Sequence, residues 1–493
     1  MSFTFQRLIP AICVLLGPQF GAPGLGAAQG TILPVPPSEY AVRRDSLAAR
    51  IGPSAVFAFG AVEPVLSKHG FDQLPSFQYL TGFMEPDAAL LLESDGANAR
   101  TTLFTAPYPI RKQFYEGFAE DHGALAHRTG MRIRDLSEFR QAVDSLAAAG
   151  VPLHEVRDVR SNDVVRRDTL TRGAAFVAGL ESRYRGLAVG DAYSAVWQLR
   201  ARKSQAEASL VRAAIAVTDS AHRAAMRAIR PGTHEYEAQA IIESTFRRLG
   251  ADGLSFGSIV GSGRNSTILH YRAGDREMQD GEVVVMDIGA QWDGYDADIT
   301  RTVPVSGRFS EESRAIYELV LAAQKAAEAT VAPGRPASEA TAAAVQVRLE
   351  GLARLGLIEH PDSTYDPLWE VDCARSPASC LQGSLFMIHG IGHGIGLEVH
   401  DAAAYGISGR YAEGDHFTIE PGLYINADAL QMLPDTPKNR RFVRAVGEAA
   451  RRYHGIGVRI EDDYEVTTTG VRRLSTAPRE VREIERVMEA DGR

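Results

Sequence analysis

The chain has 493 residues, which is long for one domain, so we expect two domains. Hydrophobic residues make up 45% and charged residues 23%, as in ordinary soluble globular proteins. The 53 Lys and Arg residues stand against 62 Asp and Glu residues, which gives a net charge of −9, and there is no long basic run. This balance argues against nucleic acid or an anionic membrane surface as a partner.

The first residues, 1–28, have the layout of a secretory signal peptide. Arg7 precedes an apolar run over 8–17, and small residues at 26–28 suit cleavage. The apolar run is too short to span a bilayer. We therefore expect a periplasmic or secreted protein with no membrane contact once the signal is removed, and an uncleaved anchor is the alternative.

Residues 38–193 predict a smaller N-terminal domain in which short apolar runs alternate with amphipathic helices. This alternation indicates an α/β domain. The aromatic segment 77–83, taken alone, predicts a strand followed by a turn. The predicted strands lie at 55–59, 88–92 and 102–104, and the predicted helices lie at 42–51, 135–149 and 166–184.

Residues 200–475 predict a second domain that combines helix pairs with strands. Ser204 and Glu207 form a capping box that starts a long helix, and Pro231-Gly232 ends it. Further helices are predicted at 233–249, 310–331 and 338–355, and a charged helix is predicted at 476–493.

The stretch 283–304 organises the second domain, because two apolar runs flank a turn and predict a β-hairpin. With a four-residue loop, Asp287 and Asp298 face each other directly; with a two-residue loop, they are diagonal neighbours on the same face. In both registers their Cβ atoms lie within roughly 4.5 to 8 Å. Facing carboxylates repel unless a positive charge lies between them. The alternative is an acidic turn in contact with solvent.

Three later segments carry further side chains of the metal-ligand type. The loop 389–400 contains three histidines, and its four glycines disfavour a helix, so we expect an irregular strand there. Glu420 and Glu461 each end an apolar, strand-like run. Lone acids in such positions are usually solvated. The candidate ligands on these four segments are Asp287, Asp298, His393, Glu420 and Glu461.

Four carboxylates and one imidazole could hold two divalent cations about 3.5 to 4 Å apart. Hard oxygen ligands favour Mn²⁺ or a similar ion over a zinc site of the thiolate type. The sequence therefore predicts a dinuclear metal centre.

The motifs resemble the metal-ligand motifs of the pita-bread metallopeptidases, which include methionine aminopeptidase, aminopeptidase P and prolidase. The order and spacing match from about 204 to 468, through HGIGHGIGLEVHD, TIEPGLY and GVRIEDD. The stretch FQYLTGFMEPDAAL resembles the leading domain of aminopeptidase P and prolidase. The resemblance implies an α+β protein, in which a pita-bread catalytic domain follows a smaller α/β domain.

The resemblance also implies how the ligands divide between two divalent metal ions. Asp287 would bind one metal, His393 and Glu420 the other, and Asp298 and Glu461 would bridge both. The metals would be Mn²⁺, with Co²⁺ or Zn²⁺ as alternatives. A bridging water with its pKa lowered toward ~7 would be the nucleophile, and Glu420 would accept its proton.

Four further residues match positions around the site in this family. His270 and His400 would contact the scissile amide, stabilise the oxyanion and help to protonate the leaving nitrogen. His389 matches the histidine that lines the pocket for the residue after the cut. Arg459 matches the arginine beside the metal site.

The implied activity is removal of an N-terminal residue that precedes proline, from peptides with proline at the second position. The implied protein is a homo-oligomer, either a dimer or a tetramer. The nearest alternative is a prolidase, which is limited to Xaa-Pro dipeptides. A metal-free peptide-binding module and a creatinase-like amidinohydrolase share the fold, but the complete ligand set argues against both.

Two segments, 360–381 and 426–454, are longer than the compact bacterial pattern of this family. Both lie beside motif loops, so they could narrow the entrance or build a subunit contact. The first contains Cys373 and Cys380, the cysteines that remain after signal removal. They could form a disulfide in an oxidising compartment or stay as free thiols, because spacing alone does not decide.

Overall fold

The structure is a computed structural model that describes residues 35–62, 71–96, 98–118, 120–158 and 171–489. The predicted signal peptide lies outside these residues, as does the start of the helix predicted at 166–184. No helix within the described ranges is both long enough and apolar enough to cross a membrane.

The N-terminal domain is built on one mixed sheet of six strands in the spatial order β4-β3-β2-β1-β5-β6. The strands are β1 (Pro53–Phe59), β2 (Ala89–Asp95), β3 (Ala99–Thr105), β4 (Arg132–Asp135), β5 (Leu153–Glu155) and β6 (Gly190–Asp191). The helices are α1 (Pro37–Ile51), α2 (Pro75–Thr81), α3 (Ile110–Glu116), α4 (His122–Thr129), α5 (Phe139–Ala148), α6 (Arg172–Arg183) and α7 (Tyr193–Arg200).

Strand β1 is buried on both faces because alternate residues enter different apolar clusters. Phe57 and Phe59 pack with Phe139 on one side of the sheet. Val56 and Ala58 belong to the cluster on the other side, which continues into the second domain. A strand covered on both faces reads as a continuous apolar run, as the sequence of β1 does.

The aromatic segment 77–83 is not a strand, and that prediction was wrong. Pro75 occupies the first turn of α2, and Gly82 ends the helix with a left-handed φ of 63°. All seven residues of α2 are buried, so its sequence lacks the polar face that marks an amphipathic helix.

The second domain contains three three-stranded sheets and one two-stranded sheet, ordered β11-β10-β7, β12-β9-β8, β13-β16-β17 and β14-β15. Its first six strands are β7 (Gly253–Leu254), β8 (Ile259–Ser262), β9 (Val283–Ile288), β10 (Ala290–Trp292), β11 (Tyr295–Asp296) and β12 (Ile299–Pro304). The others are β13 (His416–Ile419), β14 (Gly422–Ile425), β15 (Ile456–Arg459), β16 (Asp462–Val466) and β17 (Val471–Arg473).

The helices of this domain include two pairs that cover the strands. They are α8 (Gln205–Ala228), α9 (Glu235–Arg248), α10 (Glu311–Glu328), α11 (Ala337–Arg354), α12 (Ala404–Ser408), α13 (Pro437–Arg452) and α14 (Val481–Glu489). The predicted capping box is present: Ser204 Oγ accepts from Glu207 N, and Glu207 Oε2 accepts from Ser204 N. Helices α10 and α11 approach closely at Gly351, where a Cβ would lie 2.2 Å from Leu319 Cδ1.

The two domains share an interface that is partly apolar and partly ionic. Leu80 of α2 and Leu210 of α8 belong to one buried cluster. Arg43 of α1 pairs with Glu207 of α8 at 3.3 Å, and both side chains are almost fully buried. The N-terminal domain is therefore packed directly against the helix that opens the second domain.

The two long segments, 360–381 and 426–454, pack against each other. Lys438 Nζ forms an ion pair with Asp366 Oδ1 at 2.8 Å, and the ring centroids of Tyr365 and Phe442 lie 6.1 Å apart. Cys373 and Cys380 form a disulfide within the first segment. The structure thus makes one lobe from two segments that are distant in sequence.

Candidate metal centre

The hairpin adopts the two-residue loop of the two predicted alternatives. Asp293 and Gly294 form the turn with φ values of 50° and 78°, the signature of a type I′ turn. Asp287 is paired with Thr300, so Asp298 is its diagonal neighbour on the same face. At Gly289 a Cβ would lie 1.9 Å from Ala297 O, so the close approach of the two chain segments at this point requires glycine.

Three more ligand candidates reach the same place from other elements. His393 Nε2 lies 3.5 Å from Asp298 Oδ2, 3.7 Å from Glu461 Oε1 and 3.8 Å from Glu420 Oε1. Glu420 follows β13 directly, and Glu461 lies between β15 and β16. Three of the four candidate carboxylates therefore converge on one imidazole nitrogen.

Asp287 completes the cluster through its cross-strand position and is held by Arg459. The guanidinium of Arg459 donates from Nη2 to Asp287 Oδ2. Its Nε donates to Thr300 Oγ1 at 3.2 Å, and that hydroxyl donates to Glu461 Oε2 at 2.8 Å. Arg459 thus connects the hairpin to the strand that carries Glu461.

The free atoms of the cluster fit divalent cations. Asp287 Oδ1, Asp298 Oδ1 and Glu461 Oε1 are buried and have no hydrogen-bond partner. Ligand atoms of Asp298, His393 and Glu461 all lie within 4.8 Å of one another. Buried polar atoms are rarely left unpaired, so these oxygens are suited to a cation rather than to the protein interior.

The protonation state of the carboxylates leads to the same conclusion. Burial, and then the negative charge of Glu461, raises the pKa of Asp298 well above its ordinary value. Burial raises the pKa of Glu461 to about 8, and the negative charge of Asp287 adds to this effect. Burial also raises the pKa of Glu420 to about 8, with a further contribution from the negative charge of Glu461. Without a cation Glu420 and Glu461 hold protons at neutral pH, whereas bound cations would stabilise the ionised forms of all three groups.

The tautomer of His393 leaves the correct nitrogen free. Its Nδ1 lies 3.1 Å from Gly394 O, and because a carbonyl only accepts, Nδ1 carries the proton. The lone pair of Nε2 is then directed at the carboxylates. A main-chain carbonyl on the second nitrogen is the usual partner of a metal-binding histidine.

The other predicted histidines surround the cluster. The ring of His400 lies 4.1 Å from that of His393. Burial lowers the pKa of His400 to about 4, and electrostatic repulsion from His393 and then from His270 contributes to the lowering. His389 Nδ1 faces Glu420 Oε2 at 3.4 Å. The loop 389–400 contains no helix, as the glycines predicted.

Three residues at the site were not predicted from the sequence. Thr300 binds Glu461, Asp463 accepts from Asp298 N at 3.2 Å, and Tyr424 bonds His389 Nε2 at 2.8 Å. Thr300 and Asp463 each follow a ligand by two positions, so strand alternation would have placed them on the ligand face. That signal was available but was not used.

Both domains match known families. Residues 209–468 match the family model described as Metallopeptidase family M24, and residues 40–152 match Aminopeptidase P, N-terminal domain. The Xaa-Pro aminopeptidase of Escherichia coli is 32% identical over 473 residues, which covers 92% of this chain and 98% of that protein. The Xaa-Pro dipeptidase of Mus musculus is 33% identical, but the match covers 59% of this chain and 60% of that protein.

A solved structure shows the same similarity in three dimensions. Aminopeptidase P from E. coli with the inhibitor Pro-Leu aligns with a TM-score of 0.75 and 31% identity. The alignment covers 93% of this chain and 99% of that chain. Similarity therefore extends over both domains and not over the metal centre alone.

Proposed function

The chain belongs to metallopeptidase family M24 and is a metal-dependent aminopeptidase, and from that premise we propose that it removes the N-terminal residue of peptides whose second residue is proline. The observation that carries this proposal is the convergence of three buried or half-buried carboxylates on His393 Nε2, with Asp287 beside them. The similarity to Xaa-Pro aminopeptidases over both domains supports this substrate class over the dipeptidase alternative.

The donor set supports two divalent ions, held by Asp287, Asp298, His393, Glu420 and Glu461. When bound, such ions supply Lewis acidity and a water nucleophile at neutral pH. We propose Mn²⁺ as the native metal because four of the five ligands are hard carboxylates, with Co²⁺ and Zn²⁺ as alternatives.

Glu420 is placed to accept the proton of the attacking water. Its Oε1 faces His393 Nε2 at 3.8 Å, and its Oε2 faces His389 Nδ1 at 3.4 Å. Burial, and then Arg459, lowers the pKa of His389 to about 3, so this ring is neutral during catalysis. Glu420 therefore has a neutral neighbour on one side and the metal ligands on the other.

Hydrogen bonding decides which nitrogen of His389 carries the proton. Arg459 Nη1 donates to Tyr424 Oη at 3.0 Å, so the Tyr424 hydroxyl directs its own proton to His389 Nε2. The Nδ1–H of His389 then points at Glu420 Oε2. This contact holds the Glu420 carboxylate in place while it takes the proton.

His270 and His400 act on the peptide bond itself in this proposal. Because the pKa of His400 is lowered to about 4, its ring is neutral and can donate an N–H to the developing oxyanion. Proline suits a dedicated site, because its nitrogen has no N–H and its φ is fixed, and general peptidases bind it poorly.

Substrate length separates the two candidate activities. Metal-loaded protein should release the first residue from Xaa-Pro-Yaa-Zaa peptides as well as from shorter ones, measured by mass spectrometry of the products. Cleavage confined to Xaa-Pro dipeptides would establish the prolidase alternative instead.

We also propose that the protein is exported and assembles with copies of itself. The charge pattern of residues 1–28 and the Cys373–Cys380 pairing support export. The exposed side chains Ile110, Phe114 and Phe118 on and beside α3 support association, since exposed apolar patches mark interfaces. Cell fractionation tests export. Light scattering of Phe114→Ser and of the unaltered protein tests assembly. A smaller particle mass for Phe114→Ser supports assembly through this patch, and a monomeric unaltered protein contradicts it.

A further inference from the structure

The loop between His393 and His400 is folded around the carboxylate of Asp401. Asp401 Oδ1 accepts from Ala402 N at 2.7 Å, and Oδ2 accepts from Leu397 N at 3.0 Å. The main-chain N–H of Asp401 donates to Gly394 O at 2.8 Å. One acidic side chain therefore fixes the path of the segment that ends at His400.

Two cations from the junction of the domains hold this carboxylate. Arg200 Nη2 lies 2.6 Å from Asp401 Oδ1, and Lys203 Nζ lies 3.1 Å from Asp401 Oδ2. The side chains of all three residues are at most 2% exposed. A Cβ at Gly396 would lie 2.1 Å from Asp401 Oδ2 and 2.6 Å from Lys203 Cε, so the loop main chain packs directly against the ion pairs.

The same two cations bind other groups on both sides of the junction. Arg200 donates to Ser76 Oγ in α2 at 3.3 Å and to Glu398 Oε2 at 2.8 Å. Lys203 donates to Ala402 O at 2.8 Å. The contact runs from the N-terminal domain, through the end of α7, to the main chain on either side of His400.

His400 depends on this main chain for its position. Among the described residues no group forms a hydrogen bond with its ring, which packs against the ring of His393 with centroids 4.1 Å apart and planes tilted by 48°. A ring without a hydrogen-bonding partner is oriented by its backbone and its packing. Asp401, the next residue, supplies the backbone constraint.

We propose that Arg200, Lys203 and Asp401 form a positioning cluster for His400, through which the seating of the N-terminal domain sets the geometry of the active site. This inference rests on the proposed function, because it assumes that His400 acts on the scissile amide. The cluster itself touches neither substrate nor metal. Its effect on turnover is therefore indirect.

The first test compares two buried interdomain arginines in the full-length protein loaded with Mn²⁺. Arg200→Met should lower kcat by about 10- to 100-fold, because a displacement near 1 Å has such an effect, and KM should change little. Arg43→Met removes another buried interdomain arginine, whose partners Glu39, Glu207 and Tyr79 O all lie outside the loop 394–402, and should leave kcat within about twofold. Equal kcat in the two variants would overturn the proposal.

A double variant shows whether Arg200 acts through His400. If it does, Arg200→Met should reduce kcat no further in a His400→Ala background, since residues that act as a unit are not additive. An additive loss would overturn the proposal. Arg200→Lys should recover part of the activity. If Arg200→Met does not fold, Asp401→Asn, which keeps the shape of the side chain, replaces it in these tests.

A third measurement is independent of activity. Hydrogen exchange of the amides in 394–402 should be faster in Arg200→Met than in Arg43→Met, because the Leu397 and Ala402 donors lose their fixed acceptor. Equal exchange would overturn the positioning cluster. If the unaltered protein cleaves no Xaa-Pro peptide, the proposed function fails, and the exchange result still decides whether the cluster orders the loop.

Discussion

At the scale of single residues, the site depends on negative charge that the fold concentrates away from water. Asp287, Asp298 and Glu461 are at most 7% exposed, and each keeps one oxygen without a hydrogen-bond partner. Such an arrangement is unfavourable for the isolated protein and favourable once divalent cations are bound.

Replacing Asp298 by Asn tests the most central of these charges. Asp298→Asn should lower kcat/KM by at least about 1,000-fold, or roughly 4 kcal/mol in transition-state stabilisation, because it removes a charge shared by the cluster. Metal content by elemental analysis should fall with it. The matched control is Asp293→Asn in the turn of the same hairpin, where Asn is tolerated at positive φ. Activity of Asp298→Asn close to that of the control would contradict the assigned role.

The stability of the metal-free protein should decrease as pH rises from about 6.5 to 8. Glu420 and Glu461 have pKa values raised to about 8 in the folded protein, so they keep protons that the unfolded chain has already released. The histidines with lowered pKa values do not mask this trend, because His222, His389, His400 and His416 contribute only below about pH 6.5.

Thermal unfolding at several pH values measures this effect. Glu461→Gln, which resembles the protonated acid, should flatten the dependence, and added Mn²⁺ should raise the melting temperature at every pH above 6.5. A melting temperature of the metal-free protein that is constant or rises across this interval would be incompatible with protonated carboxylates.

At the scale of elements, the hairpin of β9 and β12 determines where the two aspartates lie. Gly289 is a position of close approach in this hairpin, since a Cβ there would meet Ala297 O at 1.9 Å. The register and the type I′ turn then place Asp287 and Asp298 on one face.

A single methyl group should therefore disturb the metal centre. Gly289→Ala should lower the melting temperature and reduce bound metal, while Gly257→Ala, whose Cβ would meet no atom within 4 Å, should leave both unchanged. Equal metal content in the two variants would show that this close approach does not hold the ligands.

The sequence predicted the hairpin and the ligand segments because their signals are local. Strand alternation and the Asp293-Gly294 turn specify one face for Asp287 and Asp298, although not which of two registers is adopted. Helix α2 was missed because all of its residues are buried, so no polar face distinguishes it from a strand. The Pro75 and Gly82 boundaries of that helix were the usable signal.

At the scale of the whole molecule, contacts between distant segments could not be read from the sequence. The pairing of Arg200 with Asp401 joins residues 201 positions apart, and the lobe of 360–381 with 426–454 joins two separate segments. Such contacts follow from the packing of complete domains. The disulfide is a local contact, but it too could not be read from the sequence, since spacing left the state of Cys373 and Cys380 open.

The central claim is that four carboxylates from three segments, together with His393 from a fourth, hold divalent cations that activate water for Xaa-Pro cleavage. The most direct test strips the full-length protein of metal and titrates it with Mn²⁺, Co²⁺ or Zn²⁺ while hydrolysis of an Xaa-Pro-Yaa peptide is followed. We expect negligible activity without metal and full activity as about two ions bind per chain. Undiminished hydrolysis by metal-free protein, or no hydrolysis with any of the three ions, would contradict the account.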